Sequence, residues 1–212
     1  MATAGACRDP AEIHGALWRG WSGELAFDVG GNVGQTIPDL LARFTRVVSF
    51  EPAAESWDQL ARRASDRVTC VNIAVSDTDG QATLWEEGHN IEQGQLVSPA
   101  LHGWAQLGEK TPRRVPCATL DTLAETYGVP DLVSLDTEGH ELRVLQGAGG
   151  LLEAGRTGWL IEFHSRALHD GCVVTLAAAG YQPVTVRHPH YQPDSYLWHN
   201  HGFLRAEAPC PA

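Results

Sequence analysis

Basic charge is scarce in this chain: 15 Lys and Arg stand against 26 Asp and Glu, for a formal net charge of −11. Proteins that grip nucleic-acid phosphates carry a basic footprint, so the balance speaks against that class and suits a neutral or cationic small molecule better. Long apolar runs are missing as well. None approaches the roughly 18 residues of a membrane-spanning helix, and residues 1–24 lack the basic start and apolar core of a secretory signal. Cysteine is sparse and odd in number, and Cys7, Cys70, Cys117, Cys172 and Cys210 contain no CxxC pair. Such cysteines read as small buried hydrophobes in a reducing compartment. The expectation is a soluble, cytoplasmic protein.

What is present looks globular. With 43% hydrophobic and 19% charged residues over 212 positions, the chain suits one domain that buries roughly 70% of its unfolded surface and needs no staples. Residues 1–23 are a loosely patterned leader whose Trp18 and Trp21 either pack on the body or cover a site. Residues 24–212 then read as a single domain. It opens strand, helix, strand, helix, strand: ELAFDVG, QTIPDLLARF, RVVSFEP, AESWDQLARRAS and RVTCVNIAVSD. Helical crossovers of this length imply parallel pairing with both sheet faces covered. GQATLWEE follows as an added extended segment.

The pattern lapses at about 86–112, an irregular, glycine-bearing insertion expected to act as a lid, with His89, His102 and Trp104 available to an acceptor. Regular order resumes with RRVPCATLDTLAETYG and then the strand DLVSLD. GHELRVLQGAGGLLEAG is helical before turning at its glycines, GWLIEFH is a strand, and a helix follows near 169–179. The tail resembles an antiparallel hairpin closing the sheet. No internal repeat or linker interrupts this plan, and the oligomeric state stays open.

The glycine turn after the first strand runs Asp28-x-Gly30-x-Asn32-x-Gly34, with Gly31 in addition. It lacks both the GxGxxG of a dinucleotide site and the lysine of a phosphate-binding loop. Two acids frame it. Ligands of open parallel sheets bind outside the carboxyl ends of the strands, where Glu51, ending the second strand, is placed to accept two ribose hydroxyls. Asp28 would oppose a pyrophosphate but favour a sulfonium. The same geometry serves NAD and S-adenosylmethionine, and the charge balance favours the adenosyl sulfonium.

In these motifs the chain resembles the FkbM-like family of S-adenosylmethionine-dependent methyltransferases. FDVGGNVG (27–34), SFEP (49–52), VNIAVSD (71–77), TLDTL (119–123), LVSLDTEGHELRVLQGA (132–148) and LIEFH (160–164) match that family's signatures in order, over about residues 24–164. The resemblance implies an α/β, Rossmann-like class I methyltransferase sheet of seven mostly parallel strands with a C-terminal antiparallel hairpin. It also implies methyl transfer, mainly to a hydroxyl of a natural product or sugar with other acceptors represented; a small-molecule acceptor is expected, and the charge and the lack of long apolar runs point to no nucleic acid and no membrane. By the same resemblance Asp28, Gly30, Asn32 and Gly34 line the methionine side of the cofactor, Glu51 holds the ribose, and Asn72 and Ala74 lie near the adenine edge. Relatives often carry a lysine two residues before the fourth-strand aspartate; here Ser134 stands in its place.

The chemical centre is expected where SLDTEGHE and IEFH end neighbouring strands. Asp136, Glu138, Glu162 and His164 would converge there, since residues two apart share one face of an extended chain. His164 is the favoured general base because imidazole titrates near neutrality, and Asp136 is the base in reserve or an orienting group that also meets the cofactor. Glu138 has a second possible duty, satisfying amides at the start of the next helix. A divalent metal suits these residue types but is not favoured, since no HExxH or paired-cysteine spacing is present; the pairs His188, His190 and His199, His201 are assigned to the tail or acceptor pocket. The remaining alternatives are N-methylation of a peptide or other scaffold, a nicotinamide-dependent oxidoreductase, and a non-catalytic adenosyl-binding protein.

Overall fold

A computed structural model describes residues 17–18, 20–87, 90–95, 110–187 and 202–208. Alternation of apolar residues in the central strands produces a sheet covered on both faces. Strands β1 (Gly23–Val29), β2 (Phe44–Phe50), β3 (Val68–Val71), β8 (Leu132–Leu135) and β9 (Gly158–Phe163) pair in parallel. β10 (Val184–Arg187) and β11 (Gly202–Ala206) complete the order β10-β11-β9-β8-β1-β2-β3, with β11 antiparallel to both neighbours. This is the expected seven-stranded sheet with its closing hairpin.

The two faces separate cleanly. Leu25, Phe27 and Val29 join Val48, Phe50, Val133, Leu135, Trp159 and Ile161 in one core, while the intervening Ala26, Val47, Leu132 and Leu160 belong to the other. The first core is roofed by α3 (Leu120–Tyr127), α4 (Glu141–Gln146), α5 (Gly149–Ala154) and α6 (Arg166–Ala178). α1 (Ile37–Leu41) and α2 (Ala54–Leu60) cover the second. Leu17 and Trp18 are buried in that second core, so this part of the leader packs on the body. Among the described residues no helix is long and apolar enough to cross a membrane. Cys70, Cys117 and Cys172 are free thiols, the first half-buried and the others buried; Cys7 and Cys210 lie outside the described residues.

Several local expectations are corrected. The stretch RVTCVNIAVSD is two strands, β3 and then β4 (Ala74–Ser76). The break falls where the Ile73 amide turns back to the Val71 carbonyl and the Asn72 side-chain amide donates to the Glu51 carbonyl. β4 enters a second, unforeseen sheet in the order β4-β7-β5-β6, with β5 (Gly80–Glu87), β6 (Asn90–Gln95) and β7 (Lys110–Thr119). The ends of the expected irregular insertion are therefore strand. A register irregularity between Trp85 and Glu87 disturbs the two-residue period that would have revealed this. The remainder of 86–112, with His89, His102 and Trp104, lies outside the described residues, as do His188, His190, His199 and His201.

Gly149 opens a helix instead of a turn, because the Asp121 carboxylate accepts from the Gly150 and Leu151 amides and caps it. The following helix starts at Arg166, earlier than expected, because Ser165 caps it through the Leu168 amide.

Phe27 is fully buried beneath the site and meets Phe50 edge-on at 5.2 Å between ring centres. Phe27→Ala should lower the unfolding free energy by about 3–5 kcal/mol, measured by urea denaturation; a loss under about 1 kcal/mol would refute this account of the core.

Candidate active site

The sheet order reverses between β1 and β8, which opens a crevice at the carboxyl ends of these strands. The glycine turn after β1 closes over that point. Gly30 has φ +82°, and a Cβ there would lie 1.7 Å from the Asp136 carbonyl oxygen. A Cβ on Gly31 would lie 2.0 Å from Ser49 Oγ. These two glycines are thus demanded by close approach of the turn to the chain after β8 and to β2. Gly34 packs beside Arg63, Ile37 and Leu60, away from the acids.

The turn presents its polar groups to the end of β2. Asn32, at φ +47°, donates its amide to Glu51 Oε2 at 2.9 Å, and the Ala53 amide donates to Oε1 at 2.7 Å. Each carboxylate oxygen retains a second acceptor site, as a pair of ribose hydroxyls requires. Asn32 Oδ1 is closed to solvent and takes part in no hydrogen bond among the described residues. Asp28 is buried and accepts from Ser49 Oγ at 2.7 Å. Asn72 stands against the Glu51 backbone, whereas Ala74 is wholly buried in the core of the second sheet with Ala53, Leu84, Val115 and Cys117.

These acids strain against one another. Burial pushes the Asp28 carboxyl up to about 6, with the Ser49 bond opposing and the Asp136 charge adding to the rise. Burial lifts Glu51 to about 7 against its two amide bonds, and the charges of Asp28 and Asp136 push the same way. A pocket of this kind gains from a cation. The orphaned Asn32 oxygen, the doubly anchored Glu51 and the mutual repulsion of the acids all fit S-adenosylmethionine, a ribose-bearing sulfonium.

Beside this half, β8 and β9 bring the second set of expected residues together. His164 is 5% exposed; its Nδ1 donates to Glu141 Oε1 at 2.9 Å, and its Nε2 stands 3.5 Å from both Asp136 Oδ1 and Glu138 Oε2. Glu162, half-buried on the same strand, is pushed up to about 8 by burial and then by the neighbouring charge of Asp136. Asp136 Oδ1 is shut off from solvent and accepts no hydrogen bond among the described residues, although its side chain as a whole is 47% exposed. One donor atom each from Asp136, Glu138 and His164 lie within 4.8 Å of one another.

His164 is ringed by carboxylates. Burial works to lower its pKa, but the charge and hydrogen bond of Glu141, joined by Asp136 and Glu138, hold it well above the ordinary value. It is an imidazolium among carboxylates. Glu141, wholly buried, would be raised by burial but is kept below the usual glutamate range by His164.

Glu141 is the residue that sequence reasoning undervalued. It stood in plain view in SLDTEGHE, but its partner is on another strand, and no local spacing reports that. The neighbouring His140 bonds through Nε2 to Ser76 Oγ at 2.8 Å, tying this loop to β4.

Comparison with known proteins agrees with the geometry. The model of the methyltransferase FkbM domain matches residues 28–183. The hexuronic acid methyltransferase AglP of Haloferax volcanii is 27% identical over 136 residues, which cover 62% of this chain and 52% of the relative. The chain thus spans about half the length of that curated relative. Among solved structures, methyltransferase FkbM from Methylobacillus flagellatus KT matches with a TM-score of 0.56 at 16% identity, over 93% of this chain and 50% of that one. The precorrin-6y C5,15-methyltransferase of Geobacter metallireducens GS-15 matches with a TM-score of 0.52 at 12% identity, over 97% and 92%. At these identities the two structures share the fold.

Both Asp28 and Glu51 titrate higher folded than unfolded, from 3.8 to about 6 and from 4.5 to about 7. The folded chain therefore binds more protons in that window, and this contribution to stability is full below about pH 4 and lost as pH rises to about 7. In urea denaturation series from about pH 5 to pH 8, Glu51→Gln should flatten the fall in stability relative to the unaltered protein. An unchanged slope would contradict the assigned titration of Glu51.

Proposed function

The chain belongs to the methyltransferase FkbM domain family, and from that membership we propose that it transfers the methyl group of S-adenosylmethionine to a hydroxyl oxygen of a small molecule, a sugar or natural product. The observation that carries this reading is the pair of buried acids Asp28 and Glu51 at the point where the sheet order reverses, both pushed up by burial and by the charge of the neighbouring, half-exposed Asp136. Glu51 would accept the ribose hydroxyls, and Asn32 would offer beside them a side-chain oxygen that takes no hydrogen bond among the described residues. Asp28 and Asp136 offset the positive charge of the sulfonium.

When bound, the cofactor supplies an activated methyl group with a good leaving group. The chain then has to align the acceptor and accept its proton. Alignment is the larger task, worth roughly 7–11 kcal/mol at best. The acceptor hydroxyl is received at Asp136 and Glu138, the partly exposed members of the acidic cluster. His164, whose pKa its acidic neighbours hold well above the ordinary value, stands 3.5 Å from both carboxylates and orients them. The relative that acts on a hexuronic acid supports a sugar-type acceptor. The excess of carboxylates around one imidazole favours an amine as the second reading, because a cationic acceptor would be attracted there.

Calorimetric titration with S-adenosylmethionine, S-adenosylhomocysteine and NAD tests the cofactor. Micromolar binding of both adenosyl compounds is expected, with no NAD response and a loss of about 100-fold in Glu51→Ala. Asp28→Asn should weaken the sulfonium about tenfold more than the neutral thioether. NAD binding alone would overturn the reading. Mass-spectrometric detection of methylated products from hexuronic acids, neutral sugars, phenols and amines then separates oxygen from nitrogen acceptors. Stoichiometric cofactor binding without turnover on any of them would point to a non-catalytic adenosyl-binding role.

A further inference from the structure

We infer that Arg113 is a positioning residue for the ribose site: from β7 of the second sheet it anchors and polarises the Pro52–Ala53 peptide, which in turn grips the Glu51 carboxylate. Two bonds meet on that one peptide. Arg113 Nη2 donates to the Pro52 carbonyl oxygen at 2.7 Å, and the Ala53 amide donates to Glu51 Oε1 at 2.7 Å. The oxygen and the N–H of a trans peptide point to opposite sides, so the guanidinium and the carboxylate face each other across a single amide. A charged donor on the oxygen draws electron density from the nitrogen and makes its N–H the stronger donor, a cooperative gain of about 10–30% per bond.

The turn from β2 to α2 gives this bond its purpose. Pro52 has no N–H of its own, and Ala53 is the N-cap residue of α2, in extended conformation, so the Pro52 carbonyl lies outside the helix ladder. The backbone of Glu51 is fixed on the β3 side, where its amide donates to the Val71 carbonyl and its carbonyl accepts from the Asn72 side chain. Its carboxylate is held by the Asn32 and Ala53 amides. β7 reaches this turn because Leu84, Val115 and Cys117 bury against Ala53 in the small core of the second sheet. Half-buried Arg113 pairs with Leu84 on β5 and shares a face with Val115 and Cys117. Its stem extends that apolar face while its head reaches Pro52. The next residue, Arg114, points the other way and bonds Gln81 Oε1.

The ribose side of this inference rests on the methyltransferase reading; the grip on Glu51 does not. Full-length protein is titrated by calorimetry with S-adenosylhomocysteine and with its analogue in which both ribose hydroxyls are replaced by hydrogen. Arg113→Met, which keeps the apolar stem, should weaken S-adenosylhomocysteine about tenfold and the analogue less than about twofold, because Arg113 acts through the group that receives the hydroxyls. Arg113→Lys, which keeps a charged donor, should lose less in the same direction, and it carries the test if Arg113→Met does not fold by thermal melting. Arg114→Met should change neither affinity.

The grip itself is read without any ligand, by carbon NMR of protein isotope-labelled at the glutamate carboxyl, with the Glu51 signal identified by its loss in Glu51→Gln. Its titration midpoint should move to higher pH in Arg113→Met, since the ionised form loses part of its donor. Asp28 and Asp136, whose charges also bear on Glu51, are unchanged in that variant. Equal weakening of both ligands, weakening of neither, or a midpoint that stays in place would overturn the inference. A moved midpoint in a protein that binds no adenosyl compound would support the grip on Glu51 and count against the methyltransferase reading alone.

Discussion

The backbone of Gly30 pressed against the Asp136 carbonyl is the contact on which the site depends. At 1.7 Å from that oxygen, no side-chain carbon fits. The close approach welds the turn after β1 to the loop after β8, and so joins the part that would hold a cofactor to the part that would receive an acceptor. An in-line transfer tolerates little error in the distance between its partners, and here that distance is set by main chain packed on main chain. The glycines of the turn serve this packing first.

A second constraint follows from the first. Once the two loops touch, the buried Asp28 and Glu51 crowd beside the half-exposed Asp136, and the pKa values of all three rise. The chain supports this crowding with fixed donors: Ser49 to Asp28, the Asn32 and Ala53 amides to Glu51, and the Gly139 amide and His164 to Glu141. Such arrangements trade stability for readiness to bind a cation. The apolar faces of the sheet, with Phe27, Phe50, Trp159 and Ile161 fully buried, supply the opposing stabilisation.

The second sheet is more than an appendage. Its β4 begins where the chain leaves β3, and Ser76 on that strand bonds His140 in the loop that carries Asp136 and Glu138. Arg143 on α4 pairs with the adjoining Asp77. A Cβ at Gly147 would lie 2.1 Å from the Ser76 carbonyl, so α4 and β4 meet as closely as the two loops of the site. The chemistry-bearing loop is thus clamped from the side of the second sheet as well as from β1.

What the sequence determined by itself was whatever depends on local order. Strand and helix alternation, the parallel sheet and its hairpin, the acids at the ends of β1 and β2, and the family motifs were legible because each is written in a short run of residues with its own period or spacing. Tertiary structure alone decided the rest. The split of VTCVNIAVS into strands of two sheets rests on the Asn72 side-chain bond to the distant Glu51 carbonyl, and the pairing of 90–95 with β5 was hidden by a register irregularity. The character of His164 could not be read from its place after an apolar strand. An imidazole near neutrality is a base only until its neighbours are known, and Glu141, Asp136 and Glu138 reach it from another segment. Charge acts through space, and only the fold assigns the distances.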